Sequence, residues 1–102
     1  MMRILPEPVV FEWDESNANK NWLKHRVQNR ECEDVFLRNR FLMLKDEVRS
    51  KLEQRYIVIG SNQQDIALTL IITLRRERVR IISARRASRK ERNFYEKTFK
   101  NS

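Results

Sequence analysis

Glycine occurs once and proline twice in 102 residues, and cysteine and histidine once each. A single glycine cannot build a phosphate-cradling loop. So few breakers also exclude a linker or a collagen-like chain. Cys32 leaves no internal disulfide framework, and with His25 as the one histidine no Cys/His zinc cage can form. No run approaches the ~18 apolar residues of a membrane span. The stretch Met1-Met2-Arg3-Ile4-Leu5-Pro6-Glu7 lacks the apolar core of a secretory signal. A cytoplasmic setting without a membrane partner is therefore expected. No serine stands in a nucleophile-elbow context. The carboxylates show no spacing that would converge on a metal, and Asp46-Glu47 reads as solvated loop surface. Any nuclease activity is thus expected to need neither metal nor cofactor.

What is present suffices for one domain over residues 1–102, with a single modest core: 40% of residues are hydrophobic and 35% charged. The formal net charge is +8, and its placement is informative. Arg75 to Arg92 holds nine basic residues (75, 76, 78, 80, 85, 86, 89, 90 and 92) against Glu77 and Glu91, which is +7 of the total. So concentrated a field attracts polyanions, and nucleic acid is the commonest polyanion of a cytoplasm. The alternative is a solvated basic face. Charge alternating with Val79, Ile81 and Ile82 indicates a structured element, not a floppy tail.

Along the chain, Val9 to Trp13 reads as a short strand, and Asp14 stands where a helix N-cap belongs. Glu15 to about His25 predicts a helix with Ala18, Trp22 and Leu23 as its buried stripe. Arg30 to Leu37 predicts a second, with Cys32, Val35 and Phe36 inward and Asn29 as cap. Strands follow at Phe41–Leu44 and Tyr56–Ile59, separated by a loop over Lys45–Lys51, and Gly60 to Gln64 reads as a turn. Ile66 to Leu74 has strict period 2: positions 66, 68, 70, 72 and 74 are Ile or Leu, while the other face is mixed. Arg75-Arg76-Glu77 turns the chain into a partner strand from Arg78 to Ala84. Ser88-Arg89-Lys90-Glu91 matches a capping box that starts a last helix, with Phe94, Tyr95 and Phe99 closing over the sheet. The order implies an α+β fold with two N-terminal helices, an antiparallel sheet of about four strands and a C-terminal helix.

Metal-free RNA cleavage requires cations at the phosphorane and a group to move protons. Arg80 lies inside an apolar strand and suits either an edge solubiliser or a phosphate clamp. Arg85 and Arg86 precede a helix start, which favours anions, and Arg55 enters a neighbouring strand. In a regular strand Arg80 faces with Ile82 and Ala84 and opposite to Arg85, so convergence requires the strand to end or twist before 85. His25, after Lys24, has the side chain whose ordinary pKa falls near neutrality; it suits proton transfer or a helix-terminal contact.

These residues resemble the BrnT family of toxins. The likeness rests on Phe11-Glu12-Trp13-Asp14, Asn21 with Lys24-His25 and Val27, Val35-Phe36, Arg55 with Ile59-Gly60, and Arg80-Ile81-Ile82-Ser83-Ala84-Arg85-Arg86-Ala87 with Glu91 and Tyr95. It covers most of Phe11 to Glu96, and the Arg80–Tyr95 stretch is its most specific part. It departs where the family has Gly after Lys-His and then Ser-Phe: here stand Arg26, Gln28 and Asn29. A glycine there would supply a left-handed helix cap, so Arg26 carries strain in that conformation or the turn differs.

The resemblance implies a RelE-like fold and a type II toxin that cleaves RNA and arrests translation and growth. It further implies neutralisation by a ribbon-helix-helix antitoxin of the BrnA kind, in a complex, expected to be a heterotetramer, that binds operator DNA through the antitoxin and represses its own operon. The matched polar positions are Lys24, His25, Arg55, Arg80 and Arg85 as catalytic candidates. Glu91 and Tyr95 also match, but a capping box and core packing account for them. Arg75, Arg76, Arg78, Arg86 and Arg89 are candidate RNA contacts from the charge pattern. A non-catalytic nucleic-acid-binding module or co-repressor is the alternative, and a purely structural partner of a DNA-binding subunit a third.

Overall fold

Strict alternation builds the centre of the molecule. In the computed structural model, which describes residues 5, 8–47 and 53–100, the period-2 stretch is strand β4 (Ala67–Arg75). It pairs antiparallel with β5 (Arg78–Arg86) on one side and β3 (Arg55–Ser61) on the other. β2 (Phe41–Lys45) pairs antiparallel with β3. The short β1 (Phe11–Glu12) adds to β5 in parallel, with Phe11 opposite Val79 and Glu12 opposite Arg80. The sheet is therefore five-stranded and mixed, in the order β1-β5-β4-β3-β2. The expected α+β class holds, but the four-stranded antiparallel sheet is corrected by this parallel edge strand. Two hydrogen-bonded pairs suffice to form β1, too few to read as sheet membership from sequence.

Three helices accompany the sheet: α1 (Lys20–His25), α2 (Asn29–Leu37) and α3 (Arg89–Lys100). α2 lays Cys32, Val35 and Phe36 on Leu68, Leu70, Ile72, Val79, Ile81 and Ala84, all at most 2% exposed. Burying such side chains stabilises the fold by about 1.5–3 kcal/mol each. Gly60 lies within β3, not in a turn as expected. A Cβ there would meet Val35 Cγ1 at 2.7 Å and Phe41 Cβ at 2.8 Å, so its missing side chain is what lets α2 approach the sheet. The turn falls instead at Asn62–Asp65, where Asn62 Oδ1 accepts from the N–H groups of Gln64 and Ile66. The expected loop over Lys45–Lys51 lies largely outside the described residues. Asp46 is buried, not solvated surface, and donates its N–H to Arg55 O at 2.9 Å.

α1 departs most from its sequence pattern. It is only six residues long, and Asp14 to Asn19 leads into it through turns that Asp14 organises. Trp22 and Leu23 are 42% and 71% exposed, while Asn21 is buried. The reason is the edge of β5 beyond the end of β1. Backbone groups there need partners, and polar side chains supply them. Asn17 Nδ2 donates to Ile81 O at 3.0 Å, Lys20 Nζ to Ile82 O at 3.1 Å, and Ala84 N–H to Asn21 Oδ1 at 2.9 Å. The amide face is buried because it takes the place of a missing strand. Arg26 ends α1 at φ 56°, the left-handed conformation that favours glycine. Gln28, not Asn29, is the N-cap of α2, with its N–H on Glu31 Oε2 at 2.8 Å; Asn29 instead reaches Ala18 O.

Candidate functional site

The site begins with an extra residue. Along β4 and β5, Leu74 faces Val79, Thr73 faces Arg80 and Ile72 faces Ile81, but Ile71 faces Ser83. Ile82 is thus a β-bulge, and the alternation of β5 changes phase there. Ala84 stays on the core side opposite Leu70, and Arg80, Ser83 and Arg85 share the other side. The face expected from a regular strand, Arg80 with Ile82 and Ala84, is corrected by this bulge. On β3, Arg55 faces Thr73, which itself faces Arg80. The three candidate arginines therefore stand on one face of the sheet, away from α1 and α2. α3 crosses part of the same face: Thr69 Oγ1 donates to Glu91 Oε1 at 3.0 Å, and Ser61 Oγ lies 3.3 Å from Tyr95 OH.

Beside α3 the face is open as a groove of about 220 Å³, lined by Arg55, Thr69, Ile71, Ile82, Ser83 and Arg85. Arg55 and Arg85 meet here. Arg80 does not line the groove. Its Nη1 donates to Glu12 Oε1 at 3.0 Å and Asp14 Oδ2 at 2.8 Å, and its Nη2 to Asp14 Oδ1 at 3.0 Å and to Ser16 Oγ. Hydrogen bonds from Arg80 and then Ser16 hold the Asp14 carboxyl well below the usual carboxylate range. Arg80 is 8% exposed, and the same bonds make it a still weaker acid. Its strand-interior place is explained by this carboxylate cage: Asp14 is an ion-pair partner as well as the organiser of a turn.

Arg85 is half-exposed and faces a carboxylate too. Its Nη1 and Nη2 donate to Glu91 Oε1 and Oε2 at 2.7 and 2.9 Å, a bidentate pair. Glu91 also accepts from Ser88 N–H at 2.8 Å while Ser88 Oγ accepts from Glu91 N–H at 3.2 Å, completing the expected capping box. Arg85 is the main cause that holds Glu91 down at about 2, against an ordinary 4.5. A carboxylate that acidic is a poor general base at neutral pH. Tyr95 is buried and donates to Arg40 O at 2.9 Å, in keeping with a packing role; Phe94, expected on the same stripe, is 50% exposed.

Lys24 and His25 are exposed at the end of α1 and do not line the groove. Of the other basic candidates, Arg75 is engaged by Glu12 at 3.7 Å and Glu53 at 3.3 Å. Arg76 sits in the hairpin turn at φ 51°, and Arg78 and Arg89 are exposed. Arg86 faces Leu68, so alternation places it on the opposite side of the sheet from Arg85. Sequence reasoning missed Thr69, Ile71 and Ser83 as groove walls. The mixed face of β4 was the available signal: its polar positions look into the groove. No group of three or more His, Cys, Asp or Glu able to hold a metal ion occurs among the described residues.

A family described as "Ribonuclease toxin, BrnT, of type II toxin-antitoxin system" matches residues 13–91, more than three quarters of the chain. The chain belongs to the BrnT toxin family. The match spans α1, α2, all of β2 to β5 and the capping box, so every BrnT element around the groove is included. A type II BrnT toxin has an antitoxin partner. No curated protein matches the chain. No described helix is long and apolar enough to cross a membrane.

Proposed function

We propose that this BrnT chain is a metal-independent endoribonuclease whose scissile phosphate lies in the groove between Arg55 and Arg85. The observation that carries the reading is the bulge at Ile82, which turns Arg85 onto the face that already holds Arg55 and Arg80. Two guanidinium groups on rigid strands can brace the phosphate and neutralise charge that builds on it. Thr69 and Ser83 add hydroxyls beside it. In the reaction the 2′-oxygen attacks phosphorus and gives up its proton to a base. The bond to the 5′-oxygen breaks, and that oxygen takes a proton. A 2′,3′-cyclic phosphate is left.

Glu91 is too acidic for the base. Lys20 and Asn21 contact Ile82 and Ala84, so Lys24, one helical turn on, is directed toward the end of β5 where Arg85 stands. We assign proton handling to Lys24 or His25 on that basis. Arg80 fixes β5 against the Asp14 turn and contributes field, while Arg75, Arg76, Arg78 and Arg89 draw in RNA. Arg86, across the sheet, would touch RNA only by wrapping. The fold we read as RelE-like, and the setting as cytoplasmic. The partner we infer is a BrnA-like ribbon-helix-helix antitoxin, held in a heterotetramer that binds operator DNA and represses its own synthesis.

One observation favours a second reading: Arg80 and Arg85 are each already matched by a carboxylate, as in a binding module without catalysis. A single assay separates the two. Purified protein is incubated with RNA in EDTA and the ends are mapped. Cyclic-phosphate ends that disappear in Arg55→Ala and Arg85→Ala support the enzyme. Binding without cutting supports the module.

A further inference from the structure

A second cavity, of about 290 Å³, opens on the other side of α3, between that helix and the start of β2. Its walls are Arg38, Arg40, Ser61, Tyr95, Glu96 and Phe99. Most of its architecture is rigid. Arg38 Nη1 donates to Ser61 Oγ at 3.0 Å and to Asn62 O, and lies 3.7 Å from the exposed Asp65. Tyr95 OH donates to Arg40 O, and the Tyr95 and Phe99 rings are 4.9 Å apart. Arg40 lies over Phe99 at 5.2 Å and donates Nη2 to Phe99 O at 3.1 Å, which leaves its other N–H groups for a ligand. Glu96 is exposed and makes no ion pair among the described residues.

The chemistry is unlike that of the groove. Guanidinium and carboxylate groups here balance, so a phosphate gains little. A flat ring with donors on one edge and acceptors on another gains more: aromatic rings pack on its face, Arg40 meets acceptors and Glu96 meets donors. Among the RNA bases guanine has this pattern, with O6 and N7 accepting and N1–H and N2–H donating. From Glu91, at the groove, to Phe99, at this cavity, α3 rises about 12 Å, so a short single strand can reach both sites.

We propose that this cavity is a base-recognition subsite that selects guanine near the cleaved bond, a proposal that takes its substrate from the ribonuclease reading above. Proteins that read single-stranded RNA do so by stacking bases and bonding their edges in this manner. The test uses the four nucleoside 5′-monophosphates titrated separately into the isotope-labelled full chain. Guanosine monophosphate should bind at least about fivefold more tightly than the others, the discrimination one bidentate contact confers. Backbone resonances of Ser61, Tyr95, Glu96 and Phe99 should shift. Glu96→Gln, at an exposed position that folding does not depend on, should erase the preference. Equal binding of all four nucleotides, or shifts confined to Arg55 and Arg85, would overturn the proposal. Cut-site mapping adds a separate readout: a guanine at fixed offset from the cut supports the subsite, and cuts without base preference overturn it. A chain that cuts nothing yet binds guanosine monophosphate selectively would remove the ribonuclease reading and leave the subsite standing.

Discussion

Glu91→Gln isolates the charge that faces Arg85, because glutamine keeps the shape and an acceptor oxygen for Ser88 N–H and Thr69 Oγ1. The wild-type carboxyl titrates at about 2 in the fold against 4.5 when unpaired. A fall of that size is equivalent to about 3 kcal/mol in a fully desolvated pair. Glu91 is 24% and Arg85 44% exposed at the side chain, so water screens the pair and about 1–2 kcal/mol is expected. The folded-state pKa is depressed, so this stability is present above pH 4.5 and is lost as pH falls toward 2. At pH 6 the variant should melt roughly 4–15 °C below wild type, from about 4–8 °C per kcal/mol for a domain of this size. By pH 2 most of the gap should have closed. The same energy reappears in binding. A phosphate no longer has to displace Glu91 from Arg85, so the variant should bind single-stranded RNA about 5- to 30-fold more tightly at fixed salt. Melting scanned by circular dichroism from pH 6 to 2, with fluorescence anisotropy of a labelled oligoribonucleotide, reads both effects. A melting gap that does not change with pH, or RNA affinity that drops together with stability, refutes the argument that Glu91 acts as a competing anion.

Arg80→Ala should lower stability by about 2 kcal/mol, since Glu12 and Asp14 lose a nearly buried partner. Arg85→Ala should leave melting less affected while abolishing RNA cleavage; melting and end-mapping on both variants check the contrast. Ser88→Ala removes the hydroxyl that caps α3 and should cost about 1 kcal/mol with little change in cleavage, as read by chemical denaturation and the same RNA assay. Arg26→Gly relieves a left-handed backbone that costs a side-chain-bearing residue about 1 kcal/mol; the variant should melt higher, and an unchanged or lower midpoint would show that Arg26 contributes a compensating contact, such as its stacking on Trp22.

Elements with one strong periodicity were legible in the sequence. The leucine and isoleucine stripe of β4 located the sheet, Ser88 and Glu91 located the start of α3, and Cys32, Val35 and Phe36 gave the buried face of α2. Where side chains serve the backbone of another element, the pattern misled. Trp22 and Leu23 resemble a core stripe, yet α1 buries Asn21 because a distant strand edge needs hydrogen-bond partners, and no local spacing announces that need. The arginines were recognisable as a charge cluster. Their grouping was not, since it depends on a single unpaired residue in β5, and a bulge leaves the amino-acid pattern of an apolar strand intact. The carboxylates that answer Arg80 lie 66 and 68 residues away in sequence, so only the parallel contact of β1 reveals them.

The bulge at Ile82 also links chain length to surface identity. Everything after it, Ser83 through the entrance to α3, is set one step out of phase with the hairpin before it. Removing that one residue while keeping the pairing would exchange inside for outside over the last part of β5, sending Arg85 toward the hydrophobic interior and Ala84 toward solvent. A one-codon deletion there is thus the folded-chain equivalent of a frameshift, whereas many point substitutions at Ile82 would leave the handedness of the active face untouched.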